Sequence, residues 1–170
     1  MATAEQFEAL EGRKIDLGFV GLRPPLSGRD LLFECVAHDA IFVALPALRL
    51  LVKKPEVKLT DLAPEFFIGR SAKIYPGTRR WLLHTCHTAG FVPKILQEAD
   101  TEMSAIKFVA DGLGVALMPE QITRLPHEGV VFNPFSPPLL RESTIAWRAD
   151  NSSKPLKDYI RIVKDLARSM

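Results

Sequence analysis

The sequence predicts an α/β fold with a mostly parallel sheet. Short runs of alternating or continuous apolar residues, typical of strands, recur between segments whose apolar residues repeat at helical spacing. The clearest helical stripe lies near the end of the chain: Leu156, Tyr159, Ile160, Val163, Leu166 and Ala167. Composition agrees with a globular chain. Of 170 residues, 47% are apolar and 25% charged, unlike a disordered segment. That length suits one domain or two small lobes, and it is enough to bury a core without disulfides.

The elements follow in order. Thr3 and Gln6 have capping-box spacing ahead of Phe7 and Leu10, so a short helix opens the chain. Residues 14–20 alternate at Ile15, Leu17 and Phe19 and read as a strand. Residues 23–28 contain Pro24 and Pro25 and must be a loop. Residues 31–36 and 40–45 read as two β-type runs separated by Ala37, His38 and Asp39. A short extended piece at 57–59 leads into a one-turn helix at 60–62, and residues 66–69 form an apolar strand. After a polar loop at 70–73, Pro76 suits a helix start, with Trp81, Leu82, Thr85, Cys86 and Ala89 on one face. Gly90 is placed to end that helix. Residues 94–98 read as a strand. Thr101 can cap a helix carrying Met103, Ile106, Val109, Ala110 and Leu113, which Gly112 and Gly114 terminate. Residues 115–118 form a buried strand, and Pro119 opens a short helix with Ile122 and Leu125. Two late strands, 130–132 and 144–147, flank a proline-rich connector from Pro134 to Pro138, and Ser153 caps the last helix.

Charge and cysteine content narrow the function classes. Twenty-two Lys and Arg against 20 Asp and Glu leave a net charge of +2, too little to supply a dense basic face for nucleic acid. Cys35 and Cys86 are too few for a disulfide framework and point to a reducing, cytoplasmic compartment. No apolar run is long enough to cross a bilayer, and the acidic N-terminus lacks the pattern of an export signal. No membrane partner is expected.

Catalytic signatures are missing: there is no GxSxG, HExxH, P-loop or GxGxxG. Gly112-Leu-Gly114 follows a helix and precedes a strand, the wrong order for a dinucleotide turn. His84 and His87 lie one helical turn apart, but Cys86 faces the apolar side, so the expectation is no metal and no cofactor. His38 and Asp39 are neighbours in an extended run and point to opposite faces. The helix starts carry more information. Thr3, Ser71 and Thr101 sit at or before them, where backbone N–H groups and a hydroxyl can hold an organic anion, and Arg70 and Lys73 flank Ser71 with positive charge. The plainer reading of the same residues is two simple caps and two solvated surface charges.

Several segments resemble the LysR-type transcriptional regulators. Residues 10–19 are similar to their "L-x-x-G-x-x-D-L-G" stretch, and residues 59–62 to their "v-x-L-x-D-L" segment. Residues 89–93 resemble their helix end and following strand. Residues 108–119, Phe-Val-Ala-Asp-Gly-Leu-Gly-Val-Ala-Leu-Met-Pro, look like "V-A-A-G-L-G-V-A-L-L-P", and residues 145–148 resemble the strand before their C-terminal helix. The order and spacing of these segments across nearly the whole chain make the set specific. The resemblance implies an effector-binding domain of type 2 periplasmic-binding-protein-like fold, with two Rossmann-like α/β lobes and a ligand cleft. On that template residues 1–37 and 143–170 belong to the first lobe and 38–142 form the second. Thr3 occupies the place of a ligand-contacting threonine, Ser71 with Arg70, Ala72 and Lys73 falls on the ligand loop of the second lobe, and Thr101 begins the helix nearest the hinge.

The chain also departs from the family pattern. The winged helix-turn-helix and linker helix are not found in it, nor are the first strand, helix and second strand of the first lobe. The expectation is therefore an incomplete first lobe, an unpaired edge at residues 14–20 that invites self-association, and DNA contact only through a helix-turn-helix domain that this chain lacks. Ala47-Leu-Arg-Leu stands where the family has "His-Pro-Leu". The function implied is sensing of a small carboxylate effector without covalent chemistry. A stand-alone cytoplasmic binding module and a lyase-type enzyme are the alternatives.

Overall fold

The computed structural model describes residues 1–22 and 30–168. The loop expected at 23–28 falls outside them. The chain divides into two compact units.

The first unit comprises Met1–His38, Lys73–Gly77 and Arg141–Met170. It contains helix α1 (Thr3–Glu11), strand β1 (Leu17–Gly21), the first part of β2 (Leu31–Pro46), the end of β6 (Val130–Arg148) and helix α5 (Lys154–Arg168). β1 pairs antiparallel with the end of β6, Leu17 opposite Trp147 and Phe19 opposite Ile145. Phe7 and Leu10 of α1 pack with Val20, Leu31 and Ala146, and the Phe7 and Phe33 rings meet edge-on at 6.3 Å. The Arg148 guanidinium donates to the carbonyls of Leu10 at 3.0 Å and Ile15 at 3.2 Å, tying the end of α1 to β6.

The second unit comprises Asp39–Ala72 and Thr78–Leu140. Strands β3 (Phe66–Arg70) and β4 (Lys94–Ala99) run parallel and are joined through helix α2 (Thr78–Thr88). Helix α3 (Glu102–Ala110) leads to β5 (Ala116–Pro119), which is followed by the one-turn helix α4 (Glu120–Thr123). β5 pairs antiparallel with the second half of β2, Ile41 opposite Pro119 and Ala44 opposite Ala116. Two clusters form the core. Val43, Leu45, Val57, Leu62, Phe67, Leu82 and Val115 make one; Ile68, Ala105, Ile106, Val109 and Met118 belong to the other. Buried side chains of this size contribute about 1.5–3 kcal/mol each.

Several expectations need correction. The sheet is not mostly parallel: the β1–β6 and β2–β5 pairs are antiparallel, and β3–β4 is parallel. β3 and β4, joined through α2, are parallel neighbours, as a helical crossover makes them. The two runs at 31–36 and 40–45 are one strand of 16 residues, and the two late strands are one of 19 residues. The prolines of β6 do not interrupt it because pairing there uses groups they retain. Val57 N–H donates to the Pro134 carbonyl at 3.0 Å, and Ser136 N–H donates to the Val57 carbonyl at 3.0 Å. The N-cap position of α1 is Ala2, not Thr3, and the Glu5 carboxylate accepts the Ala2 N–H at 2.8 Å. α2 begins at Thr78, two residues after Pro76. α5 forms after Ser153, but of its apolar stripe only Leu156 is buried; Tyr159 and Leu166 are exposed.

Candidate functional site

The parallel strands of the second unit set up one end of the site. β3 and β4 are paired Phe66 to Lys94 and Arg70 to Ala99, so both end at the same level. Ser71 N–H donates to the Ala99 carbonyl at 3.0 Å, which holds the start of the 71–73 loop against the end of β4. Two residues past Ala99, Thr101 caps α3: its Oγ1 accepts the Ser104 N–H at 3.0 Å and lies 2.8 Å from the Ser104 hydroxyl. The carboxyl ends of parallel strands beside a helix N-terminus are where open α/β sheets bind ligands.

Arg70 is bonded into this end of the unit. Its side chain is 11% exposed, and the guanidinium pairs with the Glu102 carboxylate at 2.5 Å. The reading of Arg70 as a solvated surface charge is therefore wrong. Strand β3 carries the side chain inward, and the first turn of α3 supplies its counter-ion. An incoming carboxylate would compete with Glu102 for the guanidinium. Arg70, Ser71 and Thr101 are brought together in this unit, and Ala72 closes its 39–72 segment.

Thr3 and Lys73 belong to the first unit. Thr3 is the first helical residue of α1, and its hydroxyl donates to the Val20 carbonyl at 3.3 Å. Gln6 donates to the Phe19 carbonyl at 2.9 Å. These two α1 side chains therefore occupy carbonyls of the end strand β1, which amounts to a structural role for Thr3 that capping logic missed. Ala4 N–H donates to the Ile74 carbonyl at 3.2 Å, bringing the 73–77 segment against the start of α1. Lys73 itself is exposed.

A cavity of about 630 Å³ in the second unit was not anticipated from sequence. Lys58, Thr60, His84, Thr88, Phe135 and Pro137 are among the residues lining it. It forms where the 3₁₀ turn Leu59–Leu62, α2 and the proline-bearing part of β6 meet, three segments far apart in sequence. Cys86 lies fully buried under α2, and burial pushes its thiol up to about 11. His84 and His87 are exposed on the opposite side, so Cys86 cannot join them on a metal. No helix among the described residues is long and apolar enough to cross a membrane.

Comparisons with known proteins identify the family and the fold. A family model described as the LysR substrate binding domain matches residues 1–168. The HTH-type transcriptional regulator AlsR of Bacillus subtilis (strain 168) is 30% identical over 162 residues, covering 95% of this chain and 53% of its own length. The chain thus spans about half the length of that relative. Among solved structures, the BenM effector binding domain with its effector benzoate is 25% identical, with a TM-score of 0.78, and the match covers 99% of this chain and 75% of that one. The effector binding domain of QuiR in complex with shikimate shares the fold at a TM-score of 0.80 and 20% identity, covering 99% of this chain and 79% of that one. The chain belongs to the LysR substrate binding domain family, and its fold is the type 2 periplasmic-binding-protein-like α/β fold of LysR effector-binding domains.

Proposed function

We propose that this chain is the effector-sensing domain of a LysR-type transcriptional regulator and binds a small organic carboxylate. The observation that carries the reading is the end of the β3–β4 pair, where Arg70 and Ser71 meet the Thr101-capped start of α3. Two hydroxyls, a guanidinium and a helix N-terminus match the donor set a carboxylate needs. Family membership supports the reading, and so does benzoate bound to the BenM domain. Ligand contacts are assigned to Thr3, Arg70, Ser71, Ala72, Lys73 and Thr101. Residues 1–37 with 143–170 act as one lobe and 38–142 as the other, with the effector favouring one arrangement through its differential affinity. In the whole regulator that shift reaches DNA through a helix-turn-helix domain. Self-association through the end strand β1, where Phe19 is exposed, belongs to the same reading, as does the cytoplasm, which suits the two free cysteines.

The test is calorimetric titration with benzoate, shikimate and other small carboxylates, followed by Ser71→Ala and Thr101→Val on whichever one binds. Loss of one charge-assisted hydrogen bond should weaken binding by about tenfold or more in each variant. Unchanged affinity in both would place the ligand elsewhere, and failure of every carboxylate at millimolar concentration would remove the carboxylate assignment.

A further inference from the structure

The first unit carries a group of metal-ligating side chains that effector sensing does not use. Cys35 and His38 lie on β2 and Glu142 on β6. The Cys35 sulfur, a His38 ring nitrogen and a Glu142 carboxylate oxygen all fall within 4.8 Å of one another. Residues three apart on a regular strand face opposite sides, so plain pleating does not produce this convergence of Cys35 and His38. Glu142 joins them across more than a hundred residues of sequence. All three side chains are exposed, so an ion can reach them from solvent.

We propose that Cys35, His38 and Glu142 form a zinc site with a fourth position open to water or another ligand. Thiolate and imidazole select Zn²⁺ over Mg²⁺ or Ca²⁺, which take oxygen ligands. A thiolate and a carboxylate together balance the charge of the ion. Tetrahedral zinc with ligands at about 2.0–2.3 Å sets them about 3.5 Å apart, so separations within 4.8 Å need a closure of no more than about 1.3 Å. Exposed side chains reach that by small χ rotations. Bound zinc would pin β2 to β6 at the residues where the chain leaves the first unit, since His38 ends one of its segments and Arg141 begins another. The site stands independently of the carboxylate reading.

The experiment uses the full chain, stripped of metal and titrated with Zn²⁺ against a chromophoric chelator, with Co²⁺ as a spectroscopic probe. The expected result is one ion per chain, a Kd on the order of micromolar or tighter, and a thiolate-to-cobalt charge-transfer band. Cys35→Ser should abolish the band. His38→Gln and Glu142→Gln should each weaken zinc binding by about tenfold or more. Paired substitution of His84→Gln with His87→Gln should change nothing. Zinc binding unaffected by Cys35→Ser, loss of binding with the His84/His87 pair, or affinity no better than millimolar would overturn the proposal. All of the substituted residues are exposed, and circular dichroism confirms that each variant is folded before it is titrated.

Discussion

Replacing Gly114 with alanine tests how the amino end of β3 is held. A Cβ at Gly114 would lie 2.5 Å from the Phe66 carbonyl oxygen and 3.0 Å from the Phe66 carbonyl carbon, and both are backbone atoms. The approach cannot be relieved by a side-chain rotation. Either β3 or the segment entering β5 must move, and the two are linked by Val115 N–H to the Phe66 carbonyl and Ile68 N–H to the Val115 carbonyl, both at 2.8 Å. Overpacking of this kind costs about 1–3 kcal/mol. Weakening the two hydrogen bonds adds about 1 kcal/mol each. Alanine returns about 0.4–1 kcal/mol by restricting the unfolded chain. The net expectation is a loss of about 2–5 kcal/mol, which lowers the urea midpoint by about 1–2.5 M at an unchanged m-value. Trp81 packs against the core that contains Phe67 and Val115, so its fluorescence in a Trp147→Phe background reports this unit. A midpoint shift under about 0.3 M, or a gain in stability, would refute the steric reasoning.

Four further outcomes follow from named contacts. Asn133 is buried and donates to the carbonyls of Lys54 at 2.6 Å and Leu51 at 3.3 Å, closing the 3₁₀ turn Leu50–Lys53. Asn133→Ala should cost about 1–3 kcal/mol in urea unfolding, because it leaves carbonyls without their donor. Glu102→Gln should release Arg70 and raise carboxylate affinity severalfold by calorimetry; lower affinity would mean that Glu102 itself orients the guanidinium. A disulfide reagent should modify exposed Cys35 in the native chain and reach buried Cys86 only after unfolding, so rapid reaction of both thiols would contradict the packing of α2. The Lys54 ammonium, bonded to Asp61 at 2.8 Å, holds that carboxyl below its ordinary value. A depressed folded-state value contributes stability above the ordinary carboxylate pKa of about 4 that is lost as pH falls through the depressed one. Asp61→Asn should therefore flatten that part of the acid unfolding curve, and an unchanged acid limb would contradict the assignment.

Local chemistry was legible in the sequence, and long-range geometry was not. Thr101 at the start of α3 and Gly90 at the end of α2 were readable because capping and left-handed turns depend on a few neighbouring residues. The unity of β2 and β6 was not, because His38–Asp39 and Pro134–Pro138 look like breaks until the partner strand shows which backbone groups must pair. The plainer reading of Arg70 as a surface charge fails because its counter-ion, Glu102, arrives from another element. The Cys35–His38–Glu142 group was illegible for the same reason, since its third member comes from β6. Thr3 does not cap α1: its hydroxyl serves the β1 carbonyl of Val20, and Ala2 holds the N-cap position.

The most direct test of effector sensing is an amide-resolved NMR titration of the isotopically labelled chain with benzoate and shikimate. Effector sensing at this site predicts saturable shifts at Arg70, Ser71, Ala72, Lys73 and Thr101, and at Thr3 in the first unit. Saturable shifts confined to the cavity around Lys58, His84 and Pro137, with residues 70–73 and 101 unmoved, would contradict it.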